Sequence, residues 1–338
     1  MNKSRRSFIA TVAGAAALPS IPFLSRPAYA AEFTYKIGND LPPTHPLHLR
    51  MIEAANKIRE ETNGRFELQV FGNNQLGGDT DMLAQLRSGA LEMTSMPDVV
   101  LATLTPIASI NGVGFAFTNY DDVWRAMDGE LGAYIRASIN KSGLMVMEKI
   151  WDNGFRQITN NHRPIQTPDN LHNLKIRVPM SPLWTSMFKG FGSAPTALNF
   201  SELYSALQTK IVDGQENPLT NIHSAKLYEV QKYCSYTNHV WSGFWMLMNP
   251  RKWNALPADI QAVITRNLNH SGMKEREDVA AMNSSLEKEL TGKGLKFNTV
   301  DPKPFREVLS KAGFYKEWRE KFGAETWAIL NKYSGSLA

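Results

Sequence analysis

One cysteine, Cys234, stands in a chain of 338 residues. A lone thiol closes no disulfide within the chain and anchors no cysteine metal cluster. It reads as a small buried hydrophobe. After the first thirty residues no run of about eighteen uncharged apolar residues occurs, so the sequence offers no membrane-spanning helix. Short repeats and low-complexity tracts are missing as well. So are the motifs of covalent catalysis: there is no Gly-x-Ser-x-Gly elbow. Gly112-Val113-Gly114 and Gly190-Phe191-Gly192 both lack the third glycine and the acidic partner of a dinucleotide-binding turn. His45 and His48 lie beside Pro42, Pro43 and Pro46, whereas a zinc helix needs histidines at i and i+4 with a glutamate between. Hydrolase and dehydrogenase readings therefore lack a constellation. The chain is read as a non-enzyme with no metal and no cofactor.

Excess charge is absent too, once the start of the chain is set aside. Residues 1–30 have a basic opening (Lys3, Arg5, Arg6), an apolar stretch from Phe8 to Leu18, and Ala28-Tyr29-Ala30 as a small-x-small cleavage site. That is the layout of a secretory signal peptide. Ser4-Arg5-Arg6-Ser7-Phe8-Ile9 resembles a twin-arginine export signal. Four of the 37 basic residues fall in this leader and none of the 32 acidic ones, which leaves 33 basic against 32 acidic in the mature chain. A near-neutral body gives no support to nucleic acid as a partner. Export points to the periplasm.

What is present is an alternation of strand and helix patterns. Phe33 to Gly38 reads as a strand and Leu47 to Thr62 as a helix closed by Asn63-Gly64. Phe66 to Phe71 alternates as a strand. A helix capped by Asp79 or Thr80 follows, then a strand over Leu91 to Met96. Further on, the pattern predicts a helix over Asp121–Lys141 and strands over Leu144–Trp151, Arg156–Asn160 and Lys175–Val178. Helices are predicted after Pro182 and Ser201. The last third reads as a long helix from Pro257 to about Leu290, a strand over Leu295–Val300, and amphipathic helix from Pro304 to Tyr333. This order is that of an α/β protein with mixed sheets and covering helices.

Four blocks carry a family resemblance. They are Asn153-Gly154-Phe155-Arg156-Gln157, Leu174-Lys175-Ile176-Arg177-Val178-Pro179, Asn199-Phe200-Ser201-Glu202-Leu203-Tyr204-Ser205-Ala206-Leu207-Gln208-Thr209, and Val212-Asp213-Gly214-Gln215-Glu216-Asn217-Pro218. In order and spacing they resemble the solute-binding subunits (DctP family) of tripartite ATP-independent periplasmic (TRAP) transporters, the family of dicarboxylate and sialic-acid binding proteins. A weaker match runs from Gln75 through Leu91.

The resemblance implies a two-lobed periplasmic binding protein fold with the ligand cleft between lobes. Lobe I is expected at 32–154 plus 243–282, and lobe II at 155–242 plus 283–338. It implies that Arg177 holds a ligand carboxylate. The chemistry agrees, since a guanidinium is planar, permanently charged and forked to fit a carboxylate. Asn217 matches a ligand-contacting asparagine, Arg156 a second arginine, and Phe200 an aromatic wall. Glu216 is expected to orient an arginine rather than touch an anion. Asn39 and Asp40 follow the first strand where sialic-acid binders carry a polar residue and Asn. Where those binders have further charged contacts, this chain has Met96-Pro97-Asp98-Val99-Val100. With Trp151, Trp184 and Trp241 nearby in sequence, the pocket is expected to be poorer in charge and richer in aromatics. That suits a small monocarboxylate with an apolar or aromatic body, or a short hydroxy or keto acid. The small and large membrane permease subunits are the implied partners. A binding protein that feeds a sensor kinase would use the same recognition chemistry.

Overall fold

The computed structural model describes residues 30–337; the leader lies almost wholly outside them. Among the described residues no helix is long and apolar enough to cross a membrane.

Among the described residues twelve strands form two six-stranded sheets. The first sheet holds β1 (Phe33–Gly38), β2 (Phe66–Phe71), β3 (Met93–Pro97), β4 (Met145–Val146) and β5 (Trp151–Phe155). The second receives β6 (Gln157–Asn160), β7 (Lys175–Val178), β8 (Ala194–Ala197), β9 (Gly214–Asn217) and β10 (Tyr233–Tyr236). The chain then returns to the first sheet with β11 (Trp241–Met248) and ends in the second with β12 (Lys296–Thr299). The first sheet runs β2-β1-β3-β11-β4, with β5 also paired to β11; the second runs β12-β10-β6-β9-β7-β8. Parallel pairs (β1 with β2 and β3, β7 with β8 and β9) sit beside antiparallel ones (β11 with β3, β4 and β5). The expected mixed α/β architecture is therefore present.

Local chemistry explains several element ends. The helix Pro46–Glu61 starts on Pro46 with His45 as its cap, because proline fits the first helical position, where no N–H is needed. The helix Asp79–Ser88 stops at Gly89, which takes a left-handed φ of 86° that favours glycine. The expected single helix over Asp121–Lys141 is two, Tyr120–Met127 and Glu130–Lys141, parted at Asp128-Gly129. The expected strand Leu144–Trp151 is also divided, into β4 and the start of β5. The C-terminal helical stretch is three helices, Pro302–Lys311, Phe314–Phe322 and Ala324–Ser334, broken at Gly313 (φ 76°) and Gly323 (φ 84°). β11 is buried along its whole length, so its residues do not alternate in polarity, as expected for a strand covered on both faces.

Two strand crossings join the sheets, one at Arg156 between β5 and β6, the other through residues 237–240 between β10 and β11. The helix Ala258–Gly292 is the third link, 35 residues long. Its first half packs Ile260, Ile264 and Leu268 among Ile37, Leu47 and Phe66. Its last turns bury Leu286 and Leu290 with Leu203, Ile222 and Cys234. At its middle Gly272 meets the Trp151 ring. The last helix, Ala324–Ser334, packs on Tyr120–Met127 and Glu130–Lys141.

Candidate functional site

Strand alternation aims the first functional side chain. Within β7, Ile176 and Val178 join the hydrophobic core, so Arg177 between them faces the other way. Pro179 follows the strand, and the arginine lies at its carboxyl end, where open α/β sheets hold their ligands. Arg177 is only 1% exposed. Its Nε and Nη2 both donate to the Leu198 carbonyl, at 3.0 and 2.7 Å. The guanidinium lies 5.9 Å from the Phe200 ring centre. Burial lowers its pKa to about 10, with Arg156 adding to the fall and Glu216, Asp79 and Asp40 opposing it. It stays cationic at neutral pH, and both assigned hydrogen bonds go to a neutral carbonyl.

Arg156 sits where the chain crosses between sheets. Its Nε and Nη2 bind the Glu216 carboxylate at 2.5 and 3.0 Å. Nη2 also reaches the Glu216 carbonyl at 2.7 Å and Asn217 Oδ1 at 2.9 Å. The guanidinium stacks 4.7 Å from the Trp184 ring. Glu216 faces His239 Nε2 at 3.2 Å, and His239 Nδ1 lies 2.7 Å from the Thr237 hydroxyl. Burial alone pushes the Glu216 pKa up; the Arg156 charge and the bonds from His239 and Arg156 outweigh it and hold the carboxyl below its ordinary range. Glu216 thus orients an arginine, as expected from the sequence.

Opposite these groups stand two buried carboxyls from the first-sheet side. Asp40 follows β1 and Asp79 opens the helix Asp79–Ser88; they are 3% and 2% exposed. Each has one oxygen, Oδ1, without a hydrogen-bond partner. Burial and then the charge of Asp79 raise Asp40 well above the carboxylate range, against the pull of its backbone, Arg177 and Arg156. Burial raises Asp79 to about 6, with Arg177 opposing. A carboxyl in such a place is stable when protonated or when it accepts hydrogen bonds.

The structure therefore brings together Arg177, Arg156, Asn217, Phe200 and Asp40, and adds Asp79. It does not bring Asn39 or Trp151. Asn39 Oδ1 holds the Leu41 N–H at 3.1 Å, and its Nδ2 contacts His48 Nδ1 and the Phe71 carbonyl. Trp151 is fully buried against Gly272 of the long helix. Trp184 and Trp241 are likewise committed: Trp184 Nε1 donates to the Gly112 carbonyl at 2.9 Å, Trp241 Nε1 to Asp152 at 2.8 Å. Of these rings, Trp184 also stacks on the Arg156 guanidinium. Asp98 serves structure too, accepting from the Val99 and Gly243 N–H groups and from Asn111, with burial raising its pKa to about 7. Asp79 was legible in the sequence only as a cap residue.

The two sides meet across the site. Asn199 Nδ2 donates to the Thr80 hydroxyl at 3.1 Å, and Trp184 reaches Gly112. A buried arginine whose Nε and Nη2 rest on a neutral carbonyl keeps its charge without a paired carboxylate, and that is chemistry able to take a small anion.

Comparison with known proteins gives the family. Bacterial extracellular solute-binding protein, family 7 (DctP), matches residues 37–321, and the chain belongs to that family. It is 30% identical over 280 residues to the 2,3-diketo-L-gulonate-binding periplasmic protein YiaO of Escherichia coli K12, covering 82% of this chain and 85% of that protein. It is 36% identical over 260 residues to the uncharacterized protein y4mM of Sinorhizobium fredii, 77% of this chain but 48% of that protein, so it spans about half of that relative. The sugar acid binding protein DctPAm of Advenella mimigardefordensis, in complex with galactonate, superposes with a TM-score of 0.86 at 29% identity, over 91% of this chain and 100% of that one.

Proposed function

We propose that this protein is the periplasmic receptor of a TRAP transporter, capturing a small hydroxylated monocarboxylate and handing it to the small and large membrane permease subunits. The observation that carries the reading is the buried guanidinium of Arg177, with Asp40 and Asp79 close enough to act on its charge. Arg177, anchored on the Leu198 carbonyl through Nε and Nη2, leaves its Nη1–Nη2 edge for the carboxylate. Arg156 and Glu216 neutralise one another, which leaves the Arg177 charge for the anion, with Asp79 offsetting it above about pH 6. The Oδ1 atoms of Asp40 and Asp79 are acceptors for hydroxyl groups on the ligand body. Phe200 walls the carboxylate end, and Asn217 steadies the second arginine. The names of YiaO and the galactonate-bound relative agree with an acid of this kind. Export by the residue 1–30 leader, through the twin-arginine route, delivers the chain to the periplasm.

Capture follows from the architecture. The bodies that move are 32–154 with 243–282, and 155–242 with 283–323; the last helix rides on the first body, where it packs. Closure removes water from around the arginine and strengthens its bonds to the carboxylate. Hinged closure is the common device of periplasmic binders.

Titration calorimetry of the mature chain against D-galactonate, shorter aldonates, succinate and an uncharged aldonamide tests the reading. An acid should bind and its amide should not. Arg177→Ala should weaken that binding at least a hundredfold, since a charge-assisted bidentate pair is lost. Arg177→Lys should fall between, keeping charge without the fork. Asp79→Asn should alter the preference among hydroxy acids more than the affinity for succinate. Near-native affinity in Arg177→Ala sinks the assignment.

A further inference from the structure

A row of directed hydrogen bonds reaches the pocket from outside it. His45 caps the helix Pro46–Glu61, and its Nδ1 accepts the Leu47 N–H at 3.1 Å. The neutral ring therefore carries its proton on Nε2. That nitrogen lies 3.1 Å from Asn221 Oδ1. Both residues are buried, at 0% and 2% exposure. Burial lowers the His45 pKa to about 3, against the bond to Asn221, with His48 adding to the fall. The same tautomer holds across the neutral range.

The direction passes on from there. With Oδ1 accepting from His45, Asn221 presents its Nδ2 to Asn217 Oδ1 at 3.3 Å. That oxygen also receives Arg156 Nη2 at 2.9 Å. Turning the Asn217 amide over would set an NH2 group against two donors, one of them cationic. Asn217 Nδ2 is thereby directed to Gln215 Oε1 at 2.5 Å. Gln215 Nε2 donates to the Thr159 hydroxyl at 2.8 Å, and Thr159 donates to Gln231 Oε1 at 2.8 Å. His45 comes from the loop after β1, the segment that also carries Asp40. Asn221 comes from the helix Leu219–Ser224 after β9. The row thus crosses from the first-sheet side to the second.

We propose that His45 and Asn221 are positioning residues for the anion pocket, fixing the amide of Asn217 and through it the guanidinium of Arg156. This rests on the reading that the ligand binds beside Arg177 and Arg156. The pair touches no ligand itself. It makes the electrostatic shape of the second-sheet wall depend on where the loop after β1 sits.

Two variants separate this role from helix capping. His45→Asn keeps a good cap acceptor but is too short to reach Asn221. Asn221→Asp still accepts from His45 but has no proton to offer Asn217, and sets a carboxylate oxygen against its carbonyl. With D-galactonate as the calorimetric probe, His45→Asn should weaken binding by about three- to tenfold, the range for one internal hydrogen bond. Asn221→Asp should weaken it more than tenfold, and the double variant by less than the product of the two. Melting without ligand should stay near wild type in His45→Asn. Nitrogen chemical shifts should show the Nε2–H tautomer of His45 before any ligand is added. Unchanged affinity in both variants, while Arg177→Ala loses binding, overturns the proposal and leaves the pocket standing. A large loss of melting temperature at unchanged affinity reduces the pair to a cap and overturns it equally. An Nδ1–H or cationic His45 at neutral pH does so without ligand. If wild type ignores galactonate and every other acid, or Arg177→Ala binds normally, the pocket reading fails first and this one with it.

Discussion

Replacing Glu216 by Gln removes one charge from the most enclosed ion pair in the described structure. Arg156 and Glu216 are 3% and 0% exposed, so solvent screens the pair little. Four of the bonds from Arg156 end on Glu216 or Asn217. Gln keeps the shape and one acceptor oxygen. It leaves the guanidinium without a counter-charge and turns an NH2 group toward a donor. Breaking a buried pair from one side costs about 3–5 kcal/mol. For a chain of this size that is roughly 6–20 °C of melting temperature, at about 2–4 °C per kcal/mol. The pH dependence gives the sharper test. Glu216 titrates below its ordinary 4.5 in the folded state. Its stabilisation is present above the unfolded value and is lost as pH falls through the folded one. The Glu216→Gln deficit should therefore be full at pH 7 and shrink in acid. Urea unfolding at several pH values measures it. The companion Arg156→Met, Glu216→Leu double variant should regain most of the stability. A deficit under about 1 kcal/mol at pH 7, or one that does not change with pH, refutes the reasoning.

Two further outcomes follow from the middle of the long helix. Glu275 Oε2 accepts the Asp152 N–H at 2.8 Å, and both carboxyls are buried, with Glu275 Oε1 and Asp152 Oδ2 lacking partners. Burial raises Asp152 to about 7, while burial and then the Asp152 charge raise Glu275. Raised folded values mean that ionisation costs stability, which falls as pH climbs from the ordinary carboxylate range toward 7. Glu275→Gln puts a permanent donor between the pair. Its melting temperature should exceed wild type in mild alkali and vary less with pH; parallel curves would contradict this. Gly272→Ala would set a Cβ 2.5 Å from Trp151 Nε1, on a ring with no exposed surface. Overpacking of that sort costs roughly 1–3 kcal/mol, and unchanged denaturant unfolding would show that the ring can give way.

The parts of this molecule legible in the sequence are those written locally. Ile176-Arg177-Val178-Pro179 states its strand, its end and the facing of the arginine within four residues. Glu216 was expected to orient an arginine, and it holds Arg156 across 60 positions of sequence. Helix breaks were harder. Gly129, Gly313 and Gly323 interrupt patterns whose apolar period continues beyond them, so periodicity alone ran five helices into two. β11 carries no alternation because both its faces are covered. Asp79 reads as an ordinary helix start, since a cap and a buried pocket carboxyl share one local pattern. The tryptophans were hard to place for the opposite reason: composition counts rings, and only the structure shows Trp151 against Gly272, Trp241 on Asp152 and Trp184 beneath Arg156. The row from His45 to Gln231 joins residues from five separate segments, and no local pattern announces it.

Cys234 has a use that its chemistry supplies. It lies on β10 with no exposed surface, among Leu286, Leu290 and Ile222, and burial pushes its thiol well above the ordinary range. In the folded chain it is inert, and it becomes reactive only when the long helix lifts from the second sheet. A soluble thiol reagent therefore acts as a clock on that opening. Being the sole cysteine, it needs no background subtraction, and a ligand that tightens the body should slow the clock by the factor with which it stabilises the closed form.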